Sequence, residues 1–100
     1  MTYKKIKGVI PILQTPFDKY GGIDTEGLSA VVKYNIDAGA DGIGIALASE
    51  VQLFNEVERD QLLKTVVDQT NGRVPVVMNT GSLGTDLAIF YSKRAEELGV

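Results

Sequence analysis

The sequence predicts the α/β class, with a parallel sheet built from three successive strand–helix units. Three observations lead there. Short β-branched apolar runs begin near residues 8, 42 and 74, a period of about 33 residues. Each run is followed by a polar turn and then by apolar residues at helical spacing. The second run, Gly42-Ile43-Gly44-Ile45-Ala46-Leu47-Ala48, is apolar at every position, as in strands covered on both faces. Strands alternating with helices through short connections imply right-handed crossovers and a parallel sheet.

The first unit opens on Gly8-Val9-Ile10-Pro11-Ile12-Leu13 and ends in Gln14-Thr15-Pro16. Pro11 cannot donate to a ladder, so it marks a bulge or an early strand position. After Gly21-Gly22, Asp24-Thr25 can cap a helix running to about Ala38, with Leu28, Val31, Val32 and Ile36 on its apolar stripe. Gly39 is its expected stop. In the second unit, Asn55 with Glu58 three residues on resembles a capping box. Leu62, Leu63, Val66 and Val67 form the apolar face of that helix, and Asn71-Gly72 ends it. The third unit is Val74-Pro75-Val76-Val77-Met78, then Asn79-Thr80-Gly81. Thr85 is the expected cap of a helix whose stripe is Ala88, Tyr91, Ala95 and Leu98, with Gly99 at its end. No internal domain boundary appears, so residues 1–100 read as one partial domain. Three doubly covered strands leave open edges. An eight-unit barrel takes ~250 residues and a doubly wound sheet five or six strands, so both frames leave this chain as a piece of a larger fold.

Composition sets bounds on function. The chain is 44% hydrophobic and 23% charged, with a net charge of -3, ordinary for a globular domain. It has no Cys and no His, which removes structural zinc, iron–sulfur clusters, disulfides, thiol nucleophiles and histidine triads. No cofactor is expected. Ten scattered Lys and Arg in a mildly acidic chain give no nucleic-acid footprint. No apolar run reaches the ~18 residues of a membrane span, and Met1-Thr2-Tyr3-Lys4-Lys5 lacks signal-peptide character. The expected location is cytoplasmic.

In parallel α/β folds, chemistry sits where strands end and loops begin. Those positions carry Gln14, Thr15, Ser49, Glu50, Asn79 and Thr80: hydroxyls, amides and one carboxylate. They suit a small polar or anionic ligand, and equally suit caps and loop ties. Glu50 is either a general base or a residue that holds the turn. The seven lysines, at 4, 5, 7, 19, 33, 64 and 93, lie before the first strand, in a turn or on helices. None occupies the apolar strand position that a Schiff-base lysine needs. Gly81-Ser82-Leu83-Gly84-Thr85 could hold an anion but lacks a P-loop lysine. Gly42 and Gly44 lie before or within a strand, where a dinucleotide fingerprint needs its glycines after it. The charges at Glu56, Glu58, Arg59 and Asp60 read as a solvated helix start.

Several pieces, in order, resemble the amino-terminal part of the dihydrodipicolinate synthase and N-acetylneuraminate lyase family. They are Thr15-Pro16-Phe17 with Gly22-Ile23-Asp24, Ala38-Gly39-Ala40-Asp41-Gly42, Ser49-Glu50 with Leu53 and the Asn55–Arg59 helix start, Gly72-Arg73-Val74-Pro75-Val76 with Thr80-Gly81, and Ala95-Glu96-Glu97-Leu98-Gly99. The resemblance implies the first three units of a (β/α)8 TIM barrel, in a homo-oligomer that is usually a tetramer. It also implies lyase chemistry of the class I aldolase type, through a Schiff base with pyruvate or a related 2-oxo acid. The Schiff-base lysine and the relay tyrosine belong to later strands, so the resemblance places no catalytic residue in residues 1–100. The family's Gly-Thr-Thr-Gly-Glu loop, which holds the substrate carboxylate, corresponds to Ala46-Leu47-Ala48-Ser49-Glu50. Both threonines are replaced. Ala48 and Ser49 are the implied substrate-binding residues, through their amides and the Ser49 hydroxyl. The departure suits another substrate, such as a sugar acid handled by an aldolase or dehydratase. A non-catalytic small-molecule binder and a self-associating βα module remain alternatives.

Overall fold

The computed structural model describes residues 4–100. Met1, Thr2 and Tyr3, part of the lead-in read above as lacking signal-peptide character, lie outside the described residues. The elements run α1 (Thr25–Asp37), β1 (Ile43–Ile45), α2 (Glu56–Thr70), β2 (Val76–Met78) and α3 (Thr85–Glu97). β1 and β2 pair in parallel with Ile43 opposite Val76, Gly44 opposite Val77 and Ile45 opposite Met78. The first unit lies on the other side of β1. Three apolar runs therefore lie side by side in chain order, with a helix after each.

Two of the three expected strands form, shorter than the sequence suggests, and the first run makes only an isolated bridge, each for a local reason. The run Gly8–Leu13 makes one parallel bridge, Ile12 to Gly44. Its carbonyls at Val9 and Pro11 accept from Asp41 and Gly44 (2.8 and 2.9 Å), and the Leu13 N–H donates to Gly44 (2.9 Å). Two residues before Leu13 the next donor is missing, because it is proline. Gly8 enters the run at φ 73°, and a Cβ there would sit 2.0 Å from the Asp41 carboxylate that accepts the Val9 N–H. The run Gly42–Ala48 stays in the ladder only for Ile43–Ile45, because Leu47–Ser49 closes a 3-10 turn. There the Ala46 N–H donates to Ser49 Oγ (3.3 Å) and the Ser49 N–H to the Ala46 carbonyl (3.0 Å). A serine competing locally with the ladder ends the strand. In the third run Pro75 cannot donate, although its carbonyl accepts from Ile43 (2.9 Å).

The helices follow their signals closely. Asp24 caps α1 by accepting from the Gly27 N–H, and Asn55 and Glu58 form the capping box of α2. Asn71 ends α2 in the left-handed region at φ 50°. At Gly39 and Gly99 the two amides after each helix reach back to its last-turn carbonyls, the glycine-terminated closure expected there. Thr85 is not the cap of α3: Gly84 holds that position and Thr85 is the first helical residue.

The core lies between the strands and the helices. Ile43 and Ile45 point into it, together with Leu13, Leu28 and Val32 of the first unit, and Leu62, Leu63 and Val66 of α2. Gly44 faces the other way, where the Ile12 side chain crosses β1 so closely that a Cβ would meet it at 2.5 Å. α1 packs on α2 and β1, and α2 on β2. No helix among the described residues is long and apolar enough to cross a membrane.

α3 is tied to α2 by charge. The Arg94 guanidinium donates twice to Asp60, at 3.2 and 2.7 Å, and once to Glu97 at 3.0 Å. The Arg94 hydrogen bonds hold the Asp60 carboxyl below the usual carboxylate range, against a smaller opposing effect of burial. A carboxylate whose pKa falls on folding stabilises the fold above its unfolded pKa, and that contribution disappears as pH drops through the folded value. Asp60→Asn is therefore expected to lower the urea midpoint at pH 7. The gap between variant and parent should be smaller at about pH 3 than at pH 7. Urea titrations at both pH values check this.

Candidate active-site end of the sheet

The first run, β1 and β2 all release their chains at one end of the sheet, and there the polar residues gather. Thr15 and Ser49 meet directly. Thr15 Oγ1 donates to the Ser49 carbonyl at 2.6 Å, and Ser49 Oγ donates to the Leu13 carbonyl. Ser49 is 0% exposed and Thr15 is buried beside it. The Ser49 hydroxyl, read above as a donor to ligand, is thus bonded within the protein, and its amide is engaged with Ala46. What these bonds do is fix the turn that presents Leu47 and Ala48 outward, with Leu47 61% exposed.

Glu50 follows at φ 63°, ψ 22°, the left-handed region that costs a non-glycine residue about 1 kcal/mol. Its N–H donates to Leu47 (2.9 Å) and its carbonyl accepts from Leu53 (2.9 Å), which starts a second 3-10 turn over Val51–Leu53. Its side chain is exposed. Phe54, after that turn, meets Phe17 edge to face at 5.9 Å and closes the loop against the first unit.

Asn79 sits one residue past β2, with its N–H on the Ile45 carbonyl (2.8 Å) and its Oδ1 accepting from Gly81 (2.7 Å). Thr80 turns away: its hydroxyl lies 2.6 Å from that of Ser92 on α3. Of the six residues marked by the sequence, the structure joins Thr15 to Ser49. It leaves Gln14, Glu50 and Asn79 exposed at the same end and engages Thr80 with a helix.

One residue escaped the sequence reading. Arg59, taken as part of a solvated helix start, is buried, at 5% exposure. Its Nη1 donates to the Val51 carbonyl at 3.0 Å. The signal was its spacing: positions 59, 62, 63 and 66 lie on one helical stripe.

Parallel runs in chain order, a helix after each, and polar loops gathered at one end make a partial α/β fold of the kind found in (β/α) barrels and doubly wound sheets. The Dihydrodipicolinate synthetase family profile matches residues 5–100, and the chain belongs to that family. A 4-hydroxy-tetrahydrodipicolinate synthase of Pelobacter propionicus is 40% identical over 94 residues, covering 93% of this chain and 32% of that protein. An L-2-keto-3-deoxyarabonate dehydratase of Azospirillum brasilense is 36% identical over 94 residues, covering 93% and 30%. Among solved structures, a prophage protein of the dihydrodipicolinic acid synthase family from Escherichia coli, crystallised with pyruvate, superposes with a TM-score of 0.87. It is 30% identical, with 93% of this chain and 32% of that chain covered. The chain thus spans about a third of the length of the relatives it matches, and its fold is the amino-terminal (βα)3 portion of their TIM barrel.

Proposed function

We propose that this chain supplies the carboxylate-binding end of a lyase that forms a Schiff base with pyruvate or a related 2-oxo acid. The observation that carries the reading is the loop Ala46–Glu50. It lies at the end of the sheet where parallel α/β folds carry their chemistry, and it is clamped so that Ala48 faces outward while Ser49 is locked beneath it. Ala48 contacts the substrate carboxylate through its main chain, and Ser49 shapes the turn that holds Ala48 in place. The lysine nucleophile and the proton-relaying tyrosine come from later barrel units of the whole protein, which acts in the cytoplasm as a homo-oligomer. No metal or organic cofactor enters this chemistry. With Leu47 and Ala48 where hydroxyls are usual, the pocket offers apolar contact at this corner and favours a different substrate, such as a 2-keto-3-deoxy sugar acid. The likeness to the dehydratase of Azospirillum brasilense supports that choice.

All seven lysines are exposed and lack the enclosed apolar surroundings that a Schiff-base lysine needs. Borohydride reduction of the 100-residue chain with pyruvate is expected to leave them unmodified, read by peptide mass mapping. A stoichiometric adduct on any of the seven overturns the division of labour. In the whole protein a single adduct on a strand lysine is expected, and none overturns the Schiff-base reading.

A further inference from the structure

Arg59 is the only charged side chain among the described residues that is buried. No carboxylate pairs with it: the described ion pairs join Lys33 to Asp37, and Arg94 to Asp60 and Glu97. Two contacts hold its guanidinium. Nη1 donates to the Val51 carbonyl at 3.0 Å, and the Tyr91 ring of α3 lies 3.7 Å from the guanidinium carbon. Nη2 is buried with no partner. Burial lowers the pKa of Arg59, against a smaller opposing effect of the Glu56 carboxylate. An unpaired buried charge is costly for a fold to keep. The carbonyl it holds points to what it does. Val51 directly follows Glu50, the left-handed hinge between the two 3-10 turns. On the sheet side the loop is fastened through Thr15, Ser49 and Leu13, and on the helix side through Arg59 to Val51.

We infer that Arg59 is a positioning residue for the loop Ala46–Glu50, pinning the turn at Glu50 from α2 and bracing it against Tyr91 of α3. The inference rests on the proposed function only for its effect on substrate. The side-chain chemistry is specific. A planar guanidinium can donate in its plane to a carbonyl while its face stacks on a ring, and a lysine ammonium does not do both.

The test uses hydrogen exchange in the whole protein. The reporters are the loop amides of Ser49, Glu50, Leu53 and Phe54, which close the two turns, and the amides of α1 are the internal reference. Arg59→Met is expected to speed loop exchange ~10-fold or more, with α1 changed less than ~2-fold and Arg59→Lys in between. Equal acceleration in the loop and α1, or none in the loop, overturns the inference. Should Arg59→Met fail to fold, Tyr91→Leu, which removes the brace and keeps the hydrogen bond, is expected to loosen the same loop amides to a smaller degree. A silent loop in that variant overturns the inference as well. For catalysis, Arg59→Lys is expected to raise KM for the 2-oxo acid several-fold with kcat within ~2-fold, because only a carboxylate contact common to ground and transition states is disturbed. If the unaltered protein turns over no 2-oxo acid, the proposed function fails, and the exchange experiment still decides the role of Arg59.

Discussion

Leu62→Ala is expected to cost about 3 kcal/mol of folding free energy, within the 2–5 kcal/mol typical of buried leucines. Leu62 is 0% exposed on the face of α2 that meets α1 and the strands. Truncation removes three carbons and leaves a void lined by branched side chains that have little room to close in. Folded domains commonly hold only about 5–15 kcal/mol in total, so the loss is a large share. In urea the midpoint should fall by about 1–3 M with an unchanged slope. Leu53→Ala, at an exposed position in the loop before α2, is expected to stay within about 0.5 kcal/mol. If the two variants cost the same, the core does not lie between α2 and the sheet.

The same physics explains what could be read in advance. Helices announce themselves through caps and period, and both are local: Asp24, Asn55, Gly39 and Gly99 all act where the sequence places them. Strand lengths depend on donors and competing turns. Pro11 and Pro75 shorten their runs visibly in the sequence, but the end of β1 depends on the Ser49 hydroxyl folding back to Ala46. Nothing in an apolar run ending in serine distinguishes that from continued pairing. The site divides in the same way. Its residues were legible because parallel strands release their chains at one end. The directions of their side chains were not, because they depend on contacts across more than thirty residues, Thr15 to Ser49 and Ser49 to Leu13. Arg59 shows the opposite error. Its charge and charged neighbours outweighed its place on the apolar stripe of α2, and the carbonyl that receives it lies in a loop whose path the sequence does not reveal.

Ser49→Ala decides between the two roles open to that residue. The hydroxyl donates to Leu13 and accepts from Ala46 inside a site with no exposed surface. Its removal strands a buried carbonyl and a partly buried N–H, an expected loss of about 2–3 kcal/mol. The left-handed Glu50 adds to this, because its strain persists only while its surroundings hold it. Thr15→Val removes the neighbouring hydrogen bond, and the two changes should be non-additive by at least 0.5 kcal/mol, since they share the Ser49 backbone. A serine whose hydroxyl served the ligand would behave differently: alanine would weaken 2-oxo acid binding and leave the melting temperature nearly unchanged. The geometry predicts the reverse order. Stability falls first, and KM rises as a consequence, because Ala48 and Glu50 no longer stand where the turn put them. Thermal melts with and without a 2-oxo acid, run on Ser49→Ala, Thr15→Val and the double variant, separate the two. Loss of ligand-induced stabilisation at an unaltered melting temperature would return Ser49 to the substrate, and a lowered melting temperature with proportionate ligand response keeps it as the clasp of the loop.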